Sequence, residues 1–490
     1  MPSRSTLRSR ALHRLGLPLT AVAAVCLMAG CAQLPESGSA PQLKAAGQFE
    51  ADASLKAPSA QWPQQQWWQA YGDAQLNALV DEALKDSPDL AAAQARLARA
   101  EAVSELVGSS LKPQVSANAM ASQERLSENF LYPPNAMPKG MHDYGRVTLD
   151  LHWELDFWGR NRAAVAAATS ELEAGKAELA QARLALAAGV AAHYAELSRL
   201  YANRDTAEKG LALRSKTAEL FAKRFANGME TRGSVSQADA RRAAAEEALL
   251  AVDEQIALQR NRLAAFLGAG PDRSQKLARP SLKLDRQFGL PAQLSANLLG
   301  RRPDIVAARL VAEAQESRID QKKAEFYPNV NLSAFYGVHA LGIDMMGNSG
   351  SRVAGVGPAL SLPIFTGGRL RGELRGAQAA HAAAVANYNA TVARALQDVA
   401  DSAVSMQSLT QRLDKVQEAV TAATEAHRVA RSRYEGGLAT YLDVLQAEDG
   451  LLQVLNAQTN LRALSVTLDI GLQRALGGGY QADSSQVAQR

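Results

Sequence analysis

A duplication divides the 490-residue chain into two similar halves, and it constrains the fold more than any other feature. At an offset of 215 residues, the matching pairs are Pro88 and Pro303, Asp89 and Asp304, and Pro113 and Pro328. At an offset of 209 residues, they are Arg160 and Arg369, Gly228 and Gly437, Thr231 and Thr440, Gln237 and Gln446, Ala238 and Ala447, Leu263 and Leu472, and Gly268 and Gly477. So long a shared register is not expected of alanine-rich helices matched by chance, and it exceeds the ~20–50-residue period of solenoid repeats. Each half is therefore predicted to be one structural unit.

Proline positions limit where long helices can form. No proline occurs between Pro138 and Pro271 or after Pro363, so a helix can run without interruption only in these two intervals. Apolar residues recur there every seven positions, as in a coiled-coil seam, at Val165, Leu172, Leu179 and Leu186 and at Val385, Val392, Val399, Met406, Leu413 and Val420.

This pattern predicts two pairs of antiparallel helices. The first pair covers about 159–226 and about 232–267, with a turn at Asn227-Gly228, and the second covers about 367–434 and about 440–476. A proline-bracketed helix at about 89–111, stacked end to end on the shorter helix, would give each half two tracks of similar length.

Strand-like segments lie between the short and the long helices. They are residues 114–121, 147–157, 329–334 and 352–363. The first three alternate between apolar and polar side chains, whereas glycine and proline interrupt the fourth. We predict two β-hairpins, at about 113–157 and about 328–365. A soluble sheet packed on one face is one interpretation, and a membrane barrel, whose strands need about 9–11 residues, is the other.

The first thirty residues predict a signal peptide. They contain four arginines and an apolar run, Leu15 to Ala29, that is shorter than the about 20 residues of a membrane-spanning helix. The run ends in Leu-Met-Ala-Gly-Cys31, which resembles a bacterial lipobox, so Cys31 is predicted to be acylated and to become the mature N-terminus. Ala32, in place of aspartate, resembles lipoproteins sent to the outer membrane. Cys26 leaves with the signal peptide, so no internal disulfide is expected.

These features give a predicted domain organisation. It consists of a signal peptide (1–30), an extended lipidated tether (31–66), a first repeat (67–270), a linker (271–296), a second repeat (297–479) and a flexible tail (480–490).

Four strands per chain are too few to close a membrane barrel, because the smallest such barrels have about 8 strands. Two copies would give a plugged 8-stranded barrel, whereas three copies would give about 12 strands with room for water. Three copies would also supply twelve helical tracks. We therefore expect a mainly α fold with a small membrane β part, in which a trimer forms a 12-stranded β-barrel continued by a 12-track α-helical tunnel. Other copy numbers remain open.

Six motifs carry a resemblance to a known family. They are Trp67-Trp68 to Leu84, LGRRPDI at 299–305, FYPNV at 326–330, GPALSLPIFTGGR at 357–369, YEGGLATYLDVLQA at 434–447 and LGGGY at 476–480. Their order and spacing resemble TolC-like outer-membrane factors of tripartite efflux pumps, in the NodT-type lipoprotein branch. The resemblance implies a homotrimer with an outer-membrane barrel and a periplasmic tunnel. An inner-membrane transporter would use this tunnel through a periplasmic adaptor protein.

The resemblance also implies a periplasmic gate just after the second helix tip, formed by Leu442, Asp443, Gln446 and Asp449. Relatives often have an acidic residue where this chain has Gln446, so a double ring of carboxylates is not expected. Threefold symmetry would turn a lumen-facing aspartate into a cation-binding ring, whereas the alternative is that both aspartates lie on a solvated helix face. The expected tip turns and adaptor contacts are Gly228, Thr231, Gly436, Gly437 and Thr440.

Other classes of function have little support. Without the first 30 residues the chain has 49 basic and 49 acidic side chains, so it carries no net positive charge that would favour binding to nucleic acid. No catalytic or phosphate-binding motif is present, and we interpret His152, Glu154 and Asp156 as lumen-lining polar residues rather than metal ligands. We expect neither an enzyme nor a cofactor other than the lipid on Cys31.

Three functions remain for comparison. The leading hypothesis is a passive exit duct for small toxic compounds or drugs, located at the outer membrane. The alternatives are the exit duct of a type I protein-export system and a non-conducting coiled-coil lipoprotein that bridges the envelope. The alternating strands argue against the bridge, whereas nothing in the sequence separates the two ducts.

Overall fold

The computed structural model describes residues 41–51, 53–55, 57–127, 138–284, 288–292 and 294–482. The predicted signal peptide, Cys31 and the end of the predicted tail lie outside these residues. The helices are α1 (Ala74–Asp86), α2 (Pro88–Gly108), α3 (Arg160–Ala226), α4 (Arg232–Phe266), α5 (Leu294–Arg301), α6 (Pro303–Ala324), α7 (Arg369–Glu435) and α8 (Tyr441–Ala475). The strands are β1 (Ser59–Ala60), β2 (Gln114–Arg125), β3 (Met141–Leu155), β4 (Leu290–Pro291), β5 (Asn329–Leu341) and β6 (Arg352–Ser361).

The long helices repeat in length as well as in sequence. Helices α3 and α7 have 67 residues each, and α4 and α8 have 35 each. The predicted helices are confirmed to within two residues at each end. In the second half the predicted seam is buried at Val385, Val392, Val399 and Met406. In the first half the seam residues from Val165 to Leu179 are only half-buried, and alanines of α3 are buried beside them.

Each short helix begins where a returning helix ends. Gly268, just after α4, lies against Pro88 at the start of α2, and Gly477, just after α8, lies against the carbonyl of Arg301 before α6. Both glycines have positive φ angles, of 69° and 86°. A Cβ atom at either position would overlap the neighbouring chain, which explains why glycine recurs at this joint. The predicted end-to-end stacking is therefore confirmed.

The described chain separates into two compact units, each built from segments of both halves. Of the described residues, the first contains Arg99–Glu173 and Arg309–Ala386, and the second contains those within Leu43–Ala98 and Ala174–Ala308 and those from 387 to 482. The boundaries of the compact units therefore differ from those of the sequence repeats, because each unit contains equivalent parts of both repeats.

The first unit contains a four-stranded antiparallel sheet. Its strand order is β2-β3-β5-β6, so the two predicted hairpins join through the pairing of β3 with β5. Strands β2 and β6 form the two edges of this sheet. The strands have 12, 15, 13 and 10 residues, so β2, β3 and β5 are longer than the alternation predicted and β6 is slightly shorter. The predicted alternation of β5 ends at residue 334 but the strand continues to Leu341, and it includes Gly337, where a side chain would overlap the backbone of β3.

A close contact accounts for the poor alternation of β6. Gly355 lies opposite Phe335 of β5, and a Cβ at residue 355 would come within 2.6 Å of the Phe335 ring. The glycine therefore makes room for an aromatic side chain on the neighbouring strand.

The two faces of the sheet differ in polarity. On one face Asp150 accepts hydrogen bonds from Asn118 and Thr148, both at 2.8 Å, and Thr148 is buried. The opposite face carries exposed apolar side chains, which include Val115, Val147, Leu149, Tyr336, Val356 and Leu360. A solvent-exposed apolar face of this extent is typical of a surface that meets lipid or protein.

The second unit contains the main helical cores, and part of the predicted tether belongs to one of them. Phe49, Leu55 and Trp62 pack against a core of α5, α7 and α8, and β1 pairs with β4 in parallel. The guanidinium of Arg301 lies 4.7 Å from the centre of the Trp62 ring. The described residues from 45 to 66 are therefore packed rather than extended, because a few large apolar side chains anchor a segment rich in Gln, Ser, Ala and Pro. Trp67 and Trp68, which follow this segment, are buried.

Arg302 holds the start of α6. Its guanidinium donates to Asp304 at 2.6 and 3.0 Å, to Asp398 at 2.9 Å and to the carbonyl of Ala475 at 3.3 Å. Pro303 is the first residue of this helix, where a proline costs no intrahelical hydrogen bond. Among the described residues, no helix is both long enough and apolar enough to cross a bilayer.

Candidate functional site

The two helix tips end in the same backbone motif. After α3 the amides of Gly228 and Met229 donate to the carbonyls of Phe225 and Arg224, both at 2.9 Å. After α7 the amides of Gly437 and Leu438 donate to Tyr434 and Arg433 at 3.1 and 2.8 Å. Gly228 and Gly437 both have φ of 73°, which is the left-handed conformation that this Schellman motif requires. The predicted turns are confirmed.

Threonine caps each returning helix. Thr231 Oγ1 accepts from the amide of Ser234 at 3.2 Å, and Thr440 Oγ1 accepts from the amide of Asp443 at 3.4 Å. Asp443 closes a capping box, because its Oδ2 accepts from the Thr440 amide at 2.7 Å and from the Thr440 hydroxyl at 2.8 Å. These hydrogen bonds from Thr440 lower the pKa of Asp443. Asp443 is exposed, but its carboxylate is bound to its own helix start.

Four helices converge just behind the tips. The buried apolar residues of this cluster are Ala218 and Phe221 from α3, Ala238 from α4, Tyr434 from α7, and Val444 and Leu445 from α8. Since α3 and α4 come from the first half and α7 and α8 from the second, the cluster joins the two halves of the duplication.

A polar contact also links the halves here. The Tyr434 hydroxyl donates to Glu230 Oε2 at 2.5 Å, and the Arg224 guanidinium lies 4.5 Å from the centre of the Tyr434 ring. Burial opposes ionisation of Glu230, but hydrogen bonds from Tyr434, Ser234 and Thr231 outweigh it and lower its pKa. Glu230 therefore binds Tyr434 as a carboxylate.

The four residues expected at the gate differ in their surroundings. Leu442, Asp443 and Gln446 are exposed on one face of α8, where no other part of the described chain covers them. Asp449 is paired instead, with Arg214 of α3 at 3.0 Å and Arg241 of α4 at 2.6 Å. The second-half helix is thus connected to both first-half helices through one carboxylate.

Sequence reasoning missed Glu448. Its side chain is fully buried, and its Oε2 accepts from the Thr217 hydroxyl at 2.6 Å. The helical period alone does not show which face of α8 turns inward, so the sequence does not distinguish the buried Glu448 from its exposed neighbours. An acidic residue beside the apolar pair Val444 and Leu445 was the available signal.

The acidic residues near β3 have structural partners. Arg160 binds Glu154 at 2.5 Å, and Asp156 accepts from the amides of Asn161 and Arg162 at the start of α3. These contacts fix the strand-to-helix junction.

With this geometry established, similarity to known proteins identifies the family. Residues 79–269 and 294–478, which correspond to the two halves of the duplication, match the family described as outer membrane efflux protein. The chain belongs to this family. The multidrug resistance outer membrane protein MdtP of Shigella flexneri is 33% identical over 484 residues, which cover 97% of this chain and 98% of MdtP. The fusaric acid resistance protein FusA of Burkholderia cepacia is 36% identical over 74% of this chain and 69% of FusA.

Solved structures agree in fold. The crystal structure of the outer membrane protein VceC from Vibrio cholerae has a TM-score of 0.82 at 47% identity and covers 86% of this chain and 100% of VceC. The outer-membrane channel OprN has a TM-score of 0.81 at 28% identity, covering 92% of this chain and 100% of OprN. The predicted TolC-like family is confirmed. The protein is an outer-membrane channel component of efflux systems, in a family of channel proteins.

Proposed function

We propose that three copies of this chain form a continuous exit duct, with a 12-stranded barrel in the outer membrane and a helical tunnel of twelve tracks in the periplasm. The observation that carries this proposal is the sheet with two open edges, β2 and β6, and one exposed apolar face. Unpaired backbone groups are costly in lipid, so a membrane sheet of this kind must close. Head-to-tail pairing of β6 with β2 of the next copy closes a ring, and about 12 strands leave space for water.

The duct exports small toxic compounds or drugs and works with a periplasmic adaptor and an inner-membrane transporter that supplies the energy. The names of MdtP and FusA, which refer to multidrug and fusaric acid resistance, support this class of cargo. The chain is anchored by lipid on Cys31 and needs no other cofactor. The adaptor binds at the tip turns formed by Gly228, Thr231, Gly436, Gly437 and Thr440.

The resting channel is constricted by the exposed face of α8, which carries Leu442, Asp443 and Gln446. In a trimer each side chain occurs three times around the axis, so Asp443 forms a ring that binds cations. Asp449, through Arg214 and Arg241, holds α8 against the first-half helices and so keeps this constriction closed.

Two variants separate the charge of Asp443 from its capping role. Asp443→Asn keeps an acceptor for the Thr440 amide but removes the charge, whereas Thr440→Ala removes the cap but keeps the charge. We expect Asp443→Asn to raise resting conductance in planar bilayers and to weaken block by multivalent cations. Thr440→Ala should leave the cation block in place.

The mass of the purified protein in detergent tests the assembly. A trimer is expected, and a stable monomer or dimer would contradict the 12-stranded barrel. If Asp443→Asn and the wild type have the same conductance and the same cation block, the ring lies elsewhere.

A further inference from the structure

The loop that joins β5 to β6 folds back onto the sheet. It covers residues 342–351 and begins at Gly342, whose φ of 99° favours glycine and turns the chain out of β5. A short 3₁₀ helix follows, Ile343–Gly347. The Ser351 hydroxyl then donates to the carbonyl of Met345 at 2.8 Å, which closes the loop on itself. The β5–β6 loop is therefore held in shape by its own hydrogen bonds.

Met346 seats this loop on the apolar face of the sheet. Gly145 of β3 pairs with Ala121 of β2 and Ala340 of β5, so three small residues lie side by side. A Cβ at residue 145 would point to the same face as Val147 and would overlap the Met346 sulfur. Gly145 and Ala340 are buried, whereas Val147 is 46% exposed. The loop therefore lies against the apolar face, at the end of the sheet far from the helices.

The loop also presents apolar side chains to its surroundings. Ile343 is 48% exposed and Met345 is 47% exposed. Asp344, which lies between them, is exposed as well, so apolar and charged side chains occur together. Such a mixture is typical of a segment at the boundary between lipid and water rather than in the hydrocarbon itself.

Strand geometry places the loop at one boundary of the apolar band. The distance along β3 from Leu155 to Gly145 is about 33 Å at about 3.3 Å per residue, or about 25 Å across a membrane at a strand tilt of about 40°. The apolar band of an outer-membrane barrel is also about 25 Å tall. Because α3 begins soon after Leu155, at Arg160, Gly145 lies at the boundary opposite the helices.

The position of Met346 favours lipid over a second copy of the chain as the occupant of this surface. Met346 lies over β3, an inner strand, whereas a neighbouring copy would pair at the edge strands β2 and β6. The loop thus leans across the sheet, away from β6, the edge strand that follows it. The chain belongs to a family of outer membrane proteins, so the material that meets an outward apolar face away from these edges is lipid.

We propose that the β5–β6 loop is a membrane anchor, with Met346 seated on Gly145 and with Ile343 and Met345 in the boundary layer of the outer leaflet. The anchor deepens the proposed duct and rests on its membrane barrel. It fixes the depth of the barrel in the membrane at the end where no helix does so. A loop held on the apolar face also leaves the polar face, which would line the channel, uncovered at this level.

Spin labels on introduced cysteines test the anchor in vesicles of phosphatidylcholine and phosphatidylglycerol. Oxygen enters lipid, whereas a polar nickel chelate stays in water, so the ratio of their collision rates reports the surroundings of each label. The label positions are Ile343→Cys in the loop, Leu149→Cys on the exposed apolar face, and Lys415→Cys on α7, where the side chain is 77% exposed. Wild-type protein treated with the same label gives the background from Cys31.

We expect the oxygen-to-nickel ratio at Leu149 to exceed that at Lys415 by about tenfold, because hydrocarbon excludes the chelate. The ratio at Ile343 should exceed that at Lys415 by about threefold, as at a lipid boundary. If the Ile343 label meets the chelate as freely as the Lys415 label while Leu149 does not, the anchor is refuted and the barrel stands. If the Ile343 label meets neither reagent, protein covers the loop and lipid is the wrong occupant. If the Leu149 label also meets the chelate freely, the membrane barrel is overturned together with the anchor.

A second set of variants tests the seat of Met346. Gly145→Val introduces a residue that strands favour but fills the space of the Met346 sulfur. We expect it to lower the ratio at Ile343 towards that at Lys415. The matched control is Ala117→Val, which adds bulk at an exposed position on the same face and should leave the ratio unchanged.

An unchanged ratio in Gly145→Val would refute the seat and with it the anchor as proposed. Trimer mass and circular dichroism check that each variant assembles. If Gly145→Val does not assemble, Met346→Gln decides, because it removes the apolar contact without adding bulk to the sheet and should lower the ratio at Ile343 in the same way.

Discussion

Replacing Asp449 with alanine should release the helix tips and raise the resting conductance of the channel. Asp449 of α8 binds Arg214 of α3 at 3.0 Å and Arg241 of α4 at 2.6 Å. The alanine variant removes both ion pairs at once. It leaves the apolar cluster of Phe221, Val444 and Leu445 intact, so the tips should loosen without unfolding.

The size of the effect follows from exposure and symmetry. The carboxylate is 45% exposed, so water screens both pairs and each is expected to contribute about 0.2–1 kcal/mol. Two pairs give about 0.4–2 kcal/mol per subunit, and three subunits that open together give about 1–6 kcal/mol. Since about 1.4 kcal/mol corresponds to a factor of ten, the ratio of open to closed channels should rise by roughly 10-fold to 10⁴-fold.

The assay is resting conductance in planar bilayers at neutral pH, and Asp239→Ala provides the matched control. Asp239 pairs with Arg242 on its own helix at 3.4 Å, with both side chains 49% exposed, so its loss removes an ion pair but no link between helices. We expect the control to behave like the wild type. Equal conductance of Asp449→Ala, Asp239→Ala and the wild type would refute the view that this ion pair keeps the tip closed.

Two further predictions concern stability and anchoring. Arg302→Lys should lower the free energy of unfolding by about 1–3 kcal/mol, because an ammonium cannot match the fork that binds Asp304, Asp398 and the Ala475 carbonyl. Thermal unfolding measures this loss of stability. The control is Arg301→Lys, because a lysine ammonium can also lie over the Trp62 ring. Equal destabilisation by both variants would contradict the role assigned to the Arg302 guanidinium. Cys31→Ser should abolish acylation because the thiol is the acceptor, and palmitate labelling that persists in this variant would disprove the lipobox assignment.

The helices were more predictable than the strands. Proline-free intervals show where long helices can run, the seven-residue period shows that they do, and the turns at Gly228 and Gly437 divide each interval into two helices, so α3, α4, α7 and α8 follow from the sequence. Alternation fails where a glycine replaces a side chain for steric reasons. Gly337 lies in the part of β5 that alternation did not predict, and Gly355 interrupts the pattern of β6, because a neighbouring strand or ring occupies the space, which only the register reveals.

Composition misjudged the segment before Trp67. The described residues between 45 and 66 are rich in Gln, Ser, Ala and Pro, but Phe49, Leu55 and Trp62 are enough to pack them into the second unit. An averaged composition hides such isolated anchors, because a few large apolar side chains contribute most of the buried area.

The candidate site was only partly predictable. The spacing of Thr440 and Asp443 is a capping-box pattern and could have been recognised from the sequence. The pairing of Asp449 and the burial of Glu448 could not, because they depend on four helices from two halves of the chain converging at one level.

Comparison of the two halves explains why the tips hold together. At the offset of 209 residues the acids Glu448 and Asp449 correspond to Asp239 and Ala240, and their partners Arg214, Thr217 and Arg241 correspond to Ala423, Ala426 and Gly450. The binding groups of the first half are thus absent from the second, and the double acidic site of the second half is absent from the first. Divergence after duplication made the copies complementary at this level, so the ion pairs of Asp449 add to the apolar cluster an attraction of modest strength that the loss of one charge removes.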